Sequence, residues 1–331
     1  MSSNLKGKIV YSNSYNPWYN LALEEYLLNG LSKDEIILYL WQNQNTVVIG
    51  NNQNPWKECD IDSLKNHEGK LARRLSGGGA VFHDLGNLNF TFLTSKDNFD
   101  ILKQLSVIIL AVKAFGINAL FSGRNDIEVE GKKFSGNAFF YGEKNNYHHG
   151  TLLVDVNMDK LSKYLQVSNS KIQSKGIDSV RARVINLKDL NKDLTIDNLK
   201  HSIVESFSTM YNIKVEEYVV DENNEYLKEL YDKYSSWQWI YGETPIFDIE
   251  YENRFFFGNL QLCMKVSKGI IQDTKIFTDA LDINFPKIIE KSLIGVAFSK
   301  DSIINSLYSI RNSVIDEAFK AIIAWIEEII E

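Results

Sequence analysis

The sequence has few cysteines and no long apolar run. Its two cysteines, Cys59 and Cys263, stand far apart among 331 residues, which excludes a disulfide framework and makes a reducing cytoplasm the expected setting. Apolar runs such as 107–112 are too short to cross a bilayer. The amino-terminal residues lack the basic and apolar order of a signal peptide. We therefore expect a cytoplasmic protein without a membrane partner.

A strongly basic charge is also missing. The net charge is −7 and the isoelectric point is near 5.4, which argues against a general nucleic-acid binder, since such proteins carry a basic footprint. A local basic pocket for a nucleotide is still compatible with this charge. Apolar residues make up 44% of the chain and aromatic residues 12%, which is typical of a packed globular protein.

Helical and strand-like segments are mixed along the chain without regular alternation. Asn16-Pro17 is a typical helix start, and 97–115 and 304–329 have helical periodicity. Three strand-like segments between 251 and 277 predict a meander. We therefore expect an α+β fold, with mixed or antiparallel sheets flanked by helices. Residues 1–245 are expected to form a large domain and 250–331 a small α+β accessory domain.

The most informative stretch is 73–92, in which two arginines precede three consecutive glycines and a strand-like run. Backbone without Cβ atoms can approach a ligand closely, and its N–H groups can converge on an oxyanion. The arginines Arg73 and Arg74 could clamp a phosphate or carboxylate. A flexible hairpin turn is the alternative.

A second cluster spans 123–138. A hairpin there would bring Asp126 and Lys133 together, and an ammonium beside a carboxylate suits chemistry at an α-phosphate. An exposed hairpin lysine is the alternative. His148 and His149 follow on a strand, where adjacent side chains point to opposite faces. We therefore expect one histidine in a pocket rather than a zinc site. Residues 168–184 are basic, as in a solvated loop or a lid over an anion.

These segments together resemble the lipoate–protein ligase A family, within the wider biotin/lipoate ligase superfamily. The resemblance rests on the glycine stretch, on 123–126, on 133–136, on 148–153 and on 175–181, which follow the family's order. The tail is similar to the accessory domain of the two-domain ligases.

The resemblance implies two half-reactions. Lipoate and Mg·ATP give lipoyl-AMP and pyrophosphate, and a lysine amine of an acceptor lipoyl domain then displaces AMP. The implied acceptors are the E2 subunits of 2-oxoacid dehydrogenases and the glycine cleavage H protein. Lys133 would be the catalytic cation, and Asp126 a candidate Mg²⁺ ligand. The implied lipoyl-adenylate-binding residues are Arg74, Ser76, Gly77, Gly78, Gly79, Ala80, Val81, Asn87, Asp126, Lys133, Ser135, Gly136, His149, Gly150, Thr151, Lys175, Gly176 and Arg181.

One position departs from the family. Some members carry an arginine where this chain has Phe140, so a more apolar pocket is expected there. One alternative is an octanoyl or lipoyl transferase of the same fold, and several of these transferases use a cysteine nucleophile. The other alternative is a non-catalytic relative that binds lipoyl domains. No cysteine lies in the second cluster, and biotin ligases have a different glycine and basic pattern.

Overall fold

The computed structural model describes residues 5–122, 125–165, 183–222, 225–241, 248–310 and 316–330. The strands are β1 (Lys6–Ser12), β2 (Glu35–Trp41), β3 (Thr46–Ile49), β4 (Lys70–Arg73), β5 (Val81–His83), β6 (Asn87–Ser95), β7 (Leu120–Ser122), β8 (Asp126–Val129), β9 (Lys132–Tyr141), β10 (Asn145–Leu153), β11 (Val215–Val220), β12 (Ile249–Phe255), β13 (Gly258–Ser267) and β14 (Ile270–Thr278).

The described helices are α1 (Pro17–Gly30), α2 (Pro55–Glu58), α3 (Ile61–Asn66), α4 (Ile101–Lys113), α5 (Met158–Tyr164), α6 (Leu187–Leu190), α7 (Ile196–Tyr211), α8 (Lys228–Ser235), α9 (Trp237–Tyr241), α10 (Phe285–Leu293), α11 (Lys300–Ser309) and α12 (Asp316–Ile329), with short 3₁₀ turns at Lys96–Asn98 and Glu225–Leu227. None of them combines the length and the apolar content that crossing a bilayer requires.

Chain contacts divide the protein into two compact units. The first comprises Met1–Val48, Trp56–Arg74 and Val81–Ile240, and the second comprises Ile49–Pro55, Leu75–Ala80 and Tyr241–Glu331. Two short segments from the amino-terminal half, one of them the glycine loop, therefore belong to the carboxy-terminal unit. The predicted boundary near 245–250 stays a prediction.

The first unit is built on an eight-stranded sheet with the order β11-β1-β2-β6-β10-β9-β8-β7. Strands β11, β1 and β2 run parallel, and the pairs from β2 onward are antiparallel. One face packs on α4 and α7 through residues such as Phe90, Phe92 and Phe207. Because side chains alternate across a strand, the intervening residues form the opposite face, which contacts α1. We call this opposite face the site face.

The second unit has a three-stranded antiparallel meander, β12–β13–β14. Its core includes Leu262 of the meander, Leu293 of α10 and Phe319 of α12. The predicted α+β class, with mixed sheets and a small α+β carboxy-terminal part, is confirmed by the structure.

Several predicted elements need correction because of capping and pairing. Residues 55–66 form two helices, α2 and α3, rather than one, since the Asp60 side chain accepts a hydrogen bond from the Ser63 N–H and starts a new helix there. Likewise Asp100 caps α4, which begins at Ile101, four residues later than expected. The single helix predicted over 304–329 is wrong, because α11 ends at Ser309. The edge strand β11 was not predicted.

Candidate functional site

Lys133 and Asp126 form an ion pair on adjacent strands. Lys133 Nζ lies 2.6 Å from Asp126 Oδ1, and each side chain is about one-third exposed. The turn between β8 and β9 has left-handed backbone at Glu130 and Gly131, with φ of 52° and 74°. A register shift after Ile127 sets Asp126 opposite Gly136. The sequence predicted this juxtaposition from the hairpin alone.

Gly136 provides the space that the Lys133 side chain occupies. A Cβ added at Gly136 would lie 2.7 Å from Lys133 Nζ, so a larger residue would displace the ammonium. The backbone of Lys133 is fixed as well, because its N–H donates to the Arg183 carbonyl and its carbonyl accepts from the Ile185 N–H. The position of the cation therefore follows from sheet pairing rather than from a flexible loop.

A row of residues crosses the sheet beside this ion pair. Trp41 on β2 pairs with Asn89 on β6, and Asn89 pairs with Thr151 on β10. The Gly136 N–H donates to Thr151 Oγ1 at 3.3 Å, and Gly136 pairs with Asp126. We call these five residues the site row. Paired residues of antiparallel strands point to the same side, so the row lies on the site face.

Next to the site row, Glu24 of α1 is a buried carboxylate with a side chain only 2% exposed. Its Oε1 accepts hydrogen bonds from Thr91 Oγ1 at 2.6 Å and from His149 Nδ1 at 2.9 Å. Thr91 Oγ1 in turn accepts from Trp41 Nε1 at 3.0 Å. These contacts orient the imidazole of His149 and link α1 to three strands. A buried charge is tolerated because it is hydrogen-bonded.

His148 points the other way and is part of the core. Its Nε2 lies 2.9 Å from Asn137 Oδ1, and its Nδ1 lies 3.1 Å from Gln104 Oε1. Burial lowers the pKa of His148 to about 3, and nearby His149 adds to this effect, so the ring is neutral at physiological pH. Among the described residues no group of three or more histidine, cysteine, aspartate or glutamate side chains could hold a metal ion.

The two arginines before the glycines are both buried within the first unit. Arg73 donates from Nε and Nη2 to the carbonyls of Trp239 and Ile240 at 2.7–3.0 Å. The guanidinium of Arg74 donates to the Val48 carbonyl at 3.2 Å. Burial lowers the pKa of each arginine to about 10, which leaves both positively charged near neutral pH. These hydrogen bonds from Arg73 hold the end of α9, a structural role that its sequence context did not indicate.

The glycine loop contacts the carboxy-terminal chain within the second unit. The Gly78 N–H donates to the Ala280 carbonyl at 3.0 Å, and Gly78 has a φ of 89°. A Cβ at Gly77 would lie 2.4 Å from the Ala280 oxygen, so this position requires glycine for close backbone packing. At Gly79, by contrast, a Cβ would meet no described heavy atom within 4 Å. That these glycines bind a ligand stays a prediction.

Other residues of the predicted site lie against the core or outside the described part of the chain. A Cβ at Gly150 would lie 2.5 Å from the Phe90 ring, which is on the core face. Ser135 is fully buried, with its hydroxyl 3.5 Å from Asn137 Nδ2. Phe140 stacks on Tyr147 at 5.3 Å, so an aromatic pair occupies the position where the family pattern changes. Lys175, Gly176 and Arg181, with the basic loop around them, lie outside the described residues.

Sequence reasoning missed Glu24, Thr91, Trp41 and Asn89. A signal for Glu24 was present, because it lies in an apolar helix beside buried residues such as Leu21 and Leu28. The strand residues gave none, since their neighbours across the sheet come from distant parts of the chain.

Two known protein families match successive parts of the chain. Residues 16–208 match the lipoyl protein ligase A/B catalytic domain, and residues 244–326 match the bacterial lipoate protein ligase C-terminus. The chain is 44% identical over 310 residues to the lipoate-protein ligase A of Psychrobacter cryohalolentis, covering 90% of this chain and 91% of the relative. It is 40% identical over 307 residues to that of Blochmanniella pennsylvanica, covering 90% of both.

Solved structures give the same result. The Plasmodium falciparum LipL1 structure in complex with lipoate matches with a TM-score of 0.84 and 32% identity, over 97% of this chain and 99% of that chain. A lipoate-protein ligase A bound with ATP matches with a TM-score of 0.64 and 30% identity, over 72% of this chain and 99% of that chain. With both domain families matched in order and close relatives covering nine-tenths of the sequence, the chain belongs to the lipoate–protein ligase A family.

Proposed function

We infer that the protein is an ATP-dependent lipoate–protein ligase. It activates lipoate as lipoyl-AMP with release of pyrophosphate, and then transfers the lipoyl group to a lysine of an acceptor lipoyl domain. The observation that carries this inference is the Lys133 ammonium, fixed by sheet pairing above the side-chain-free Gly136. Relatives solved with lipoate, with ATP and with an E2 lipoyl domain support the three ligands of this reaction.

In the first half-reaction a lipoate carboxylate oxygen attacks the α-phosphorus, and pyrophosphate leaves with the electrons of the broken P–O bond. Negative charge on the phosphoryl oxygens must be neutralised in this step. A lysine is a compact point charge that can serve the acyl oxygen and the phosphoryl oxygens at once. We assign this role to Lys133, with Asp126 holding the ammonium in place when no substrate is bound.

In the second half-reaction the ε-amine of the acceptor lysine attacks the acyl carbon. The C–N bond forms, the bond between the acyl carbon and the phosphate oxygen breaks, AMP leaves, and the amine nitrogen releases one proton. Lys133 faces the same two groups in this step. We also propose that the other residues predicted above to bind the lipoyl-adenylate, the first of which is Arg74 and the last Arg181, contact it in both half-reactions. His149 is the residue we place near the carboxyl end of the lipoyl group, since its ring is oriented by Glu24.

We propose that Mg²⁺ enters the site together with ATP. Mg²⁺ usually binds through one or two carboxylates together with substrate phosphates rather than in a protein cage, and the described residues contain no such cage. Asp126 is the carboxylate beside the cation that faces the phosphates, so it is the residue that would hold Mg²⁺. The ion would neutralise phosphate charge.

The proposed acceptors are E2 subunits of 2-oxoacid dehydrogenases and the glycine cleavage H protein, and the proposed setting is the cytoplasm. A transferase that uses a cysteine nucleophile is disfavoured by the state of the thiols. Cys59 is buried, and burial raises its pKa to about 12, whereas a nucleophilic cysteine needs a lowered pKa. Cys263 is buried too.

The test is a pyrophosphate-release assay with ATP and lipoate, comparing the parent protein with Lys133→Ala and with Lys132→Ala. Lys132 is the exposed neighbour on the same strand and serves as the matched control. We expect lipoate-dependent pyrophosphate from the parent and from Lys132→Ala. In Lys133→Ala the rate of lipoate-dependent pyrophosphate release should fall at least 100-fold, because about 3 kcal/mol of charge stabilisation in the transition state is removed.

Mass gain of purified lipoyl domains then checks the transfer step. Equal activity of the two lysine variants would remove Lys133 from the mechanism. Absence of lipoate-dependent pyrophosphate from the parent would contradict the ligase assignment itself.

A further inference from the structure

Two buried asparagines lie two residues apart on β6, and therefore on the same face. Asn87 is fully buried and Asn89 is 1% exposed. Asn87 Nδ2 donates a hydrogen bond to Asn89 Oδ1 at 2.9 Å. Asn89 Nδ2 and Asn87 Oδ1 have no hydrogen-bond partner among the described residues. Buried amide groups are seldom left without partners, since the loss of hydration is then uncompensated. The pair therefore offers one donor and one acceptor to a ligand.

The position of Asn89 indicates what the ligand is. Asn89 is in the site row, between Trp41 and Thr151. Thr151 is bonded to Gly136, above which the Lys133 ammonium lies. Asn89 is thus two strands from the strand that carries the cation, which corresponds to about 10 Å between the two strand axes. A carboxyl group whose two oxygens each accept one hydrogen bond of about 2.9 Å fits within such a separation.

The chemistry of the amide suits an acyl oxygen in every stage of the reaction. The free group on Asn89 is an N–H donor, and the carboxylate, the anhydride carbonyl and the tetrahedral intermediate all present an oxygen acceptor. A neutral donor also does not repel the amine that attacks the acyl carbon, as a second ammonium would. The existing bond from Asn87 fixes the orientation of the Asn89 amide.

We propose that Asn89 is a further substrate-binding residue, whose Nδ2 donates a hydrogen bond to one carboxyl oxygen of lipoate and of its adenylate while Lys133 serves the other oxygen and the phosphate. The proposal rests on the ligase function inferred above. It adds a residue whose contact sets the acyl group in line with the cation.

The first test is Asn89→Asp, which keeps the oxygen that Asn87 binds and replaces the N–H donor by an oxygen of an ionisable carboxyl group. The steady-state constants for lipoate and for ATP are measured separately by pyrophosphate release. We expect kcat/KM for lipoate to fall by about 10- to 100-fold, the range for a lost hydrogen bond to a charged group, and KM for ATP to stay within two-fold. The increase in unfolding midpoint that lipoate gives the parent should disappear.

Asn146→Asp is the matched control. Asn146 is a similarly buried asparagine on β10 whose Oδ1 has no partner among the described residues, and it lies on the opposite face. Its kcat/KM for lipoate should stay near the parent's. A second pair, Asn89→Ser and Asn89→Ala, differs in one hydroxyl donor, and the serine variant should retain the higher kcat/KM for lipoate. This pair decides the matter if Asn89→Asp does not fold.

The outcomes separate this proposal from the function on which it rests. If the parent releases no lipoate-dependent pyrophosphate, the ligase assignment fails. If the parent is active and Asn89→Asp keeps kcat/KM for lipoate within two-fold, or changes KM for both substrates equally, Asn89 is not a lipoate-binding residue. Equal activity of the serine and alanine variants leads to the same conclusion.

Discussion

Replacing Glu24 tests whether one buried carboxylate organises the site face. Glu24 Oε1 accepts hydrogen bonds from Thr91 and His149, and its side chain is 2% exposed. In Glu24→Ala both donors lose their acceptor in a place that water does not reach. The substitution therefore removes two hydrogen bonds and leaves the Thr91 hydroxyl and the His149 Nδ1 without the acceptor that they have in the parent.

The size of the effect follows from those two groups. A buried donor left unsatisfied costs about 1–3 kcal/mol, so the free energy of unfolding should fall by about 2–6 kcal/mol in Glu24→Ala. This is a large part of the 5–15 kcal/mol that stabilises a typical domain. Glu24→Gln keeps the size and an acceptor oxygen and loses only the charge. We expect the free energy of unfolding of Glu24→Gln to lie between that of the parent and that of the alanine variant.

The measurement is urea unfolding followed by intrinsic tryptophan fluorescence. Glu25→Ala is the matched control on the next residue of α1, since Glu25 forms a partly exposed ion pair with Lys233 at 2.7 Å. Such pairs contribute at most about 1 kcal/mol. If Glu24→Ala is no less stable than Glu25→Ala, the carboxylate is not the organising group and the reasoning fails.

Two further predictions concern packing and pH. Gly150→Ala places a Cβ 2.5 Å from the Phe90 ring and should lower the unfolding free energy by about 1–3 kcal/mol. At Gly30 an added Cβ would have no described atom within 4 Å, so Gly30→Ala should change the unfolding free energy by less than about 1 kcal/mol. Similar urea midpoints for Gly150→Ala and Gly30→Ala would contradict this prediction about packing. His83 and His148 have pKa values lowered to about 3 by burial, so the unfolded chain binds more protons below pH 6.5, and stability should decrease from there toward pH 3. Each histidine contributes up to about 1.4 kcal/mol per pH unit. In His148→Gln the slope measured by urea unfolding between pH 6 and 4 should be shallower by that amount, and an unchanged slope would show that His148 is not neutral in the fold.

The parts of the site that depend on neighbouring residues in the sequence could be predicted. Glycines on either side of a short strand-like segment predict the hairpin that joins Asp126 to Lys133, and the Asn16 cap predicts α1. Lateral strand order is not local, and for that reason Asn89 could not be placed beside Thr151 from sequence alone. Arg73 shows the same limit: its guanidinium binds carbonyls more than 160 residues along the chain.

The contact of the glycine loop with Ala280 has a consequence for shortened forms of the protein. Gly78 and Asn52 both hydrogen-bond to backbone groups between 278 and 283. A version ending at residue 241 would leave those N–H and amide groups without acceptors and remove the surface against which Gly77 is packed. The last ninety residues therefore support two loops that stand about two hundred positions earlier in the sequence, and removing them should alter the glycine turn that we predict to bind the lipoyl-adenylate.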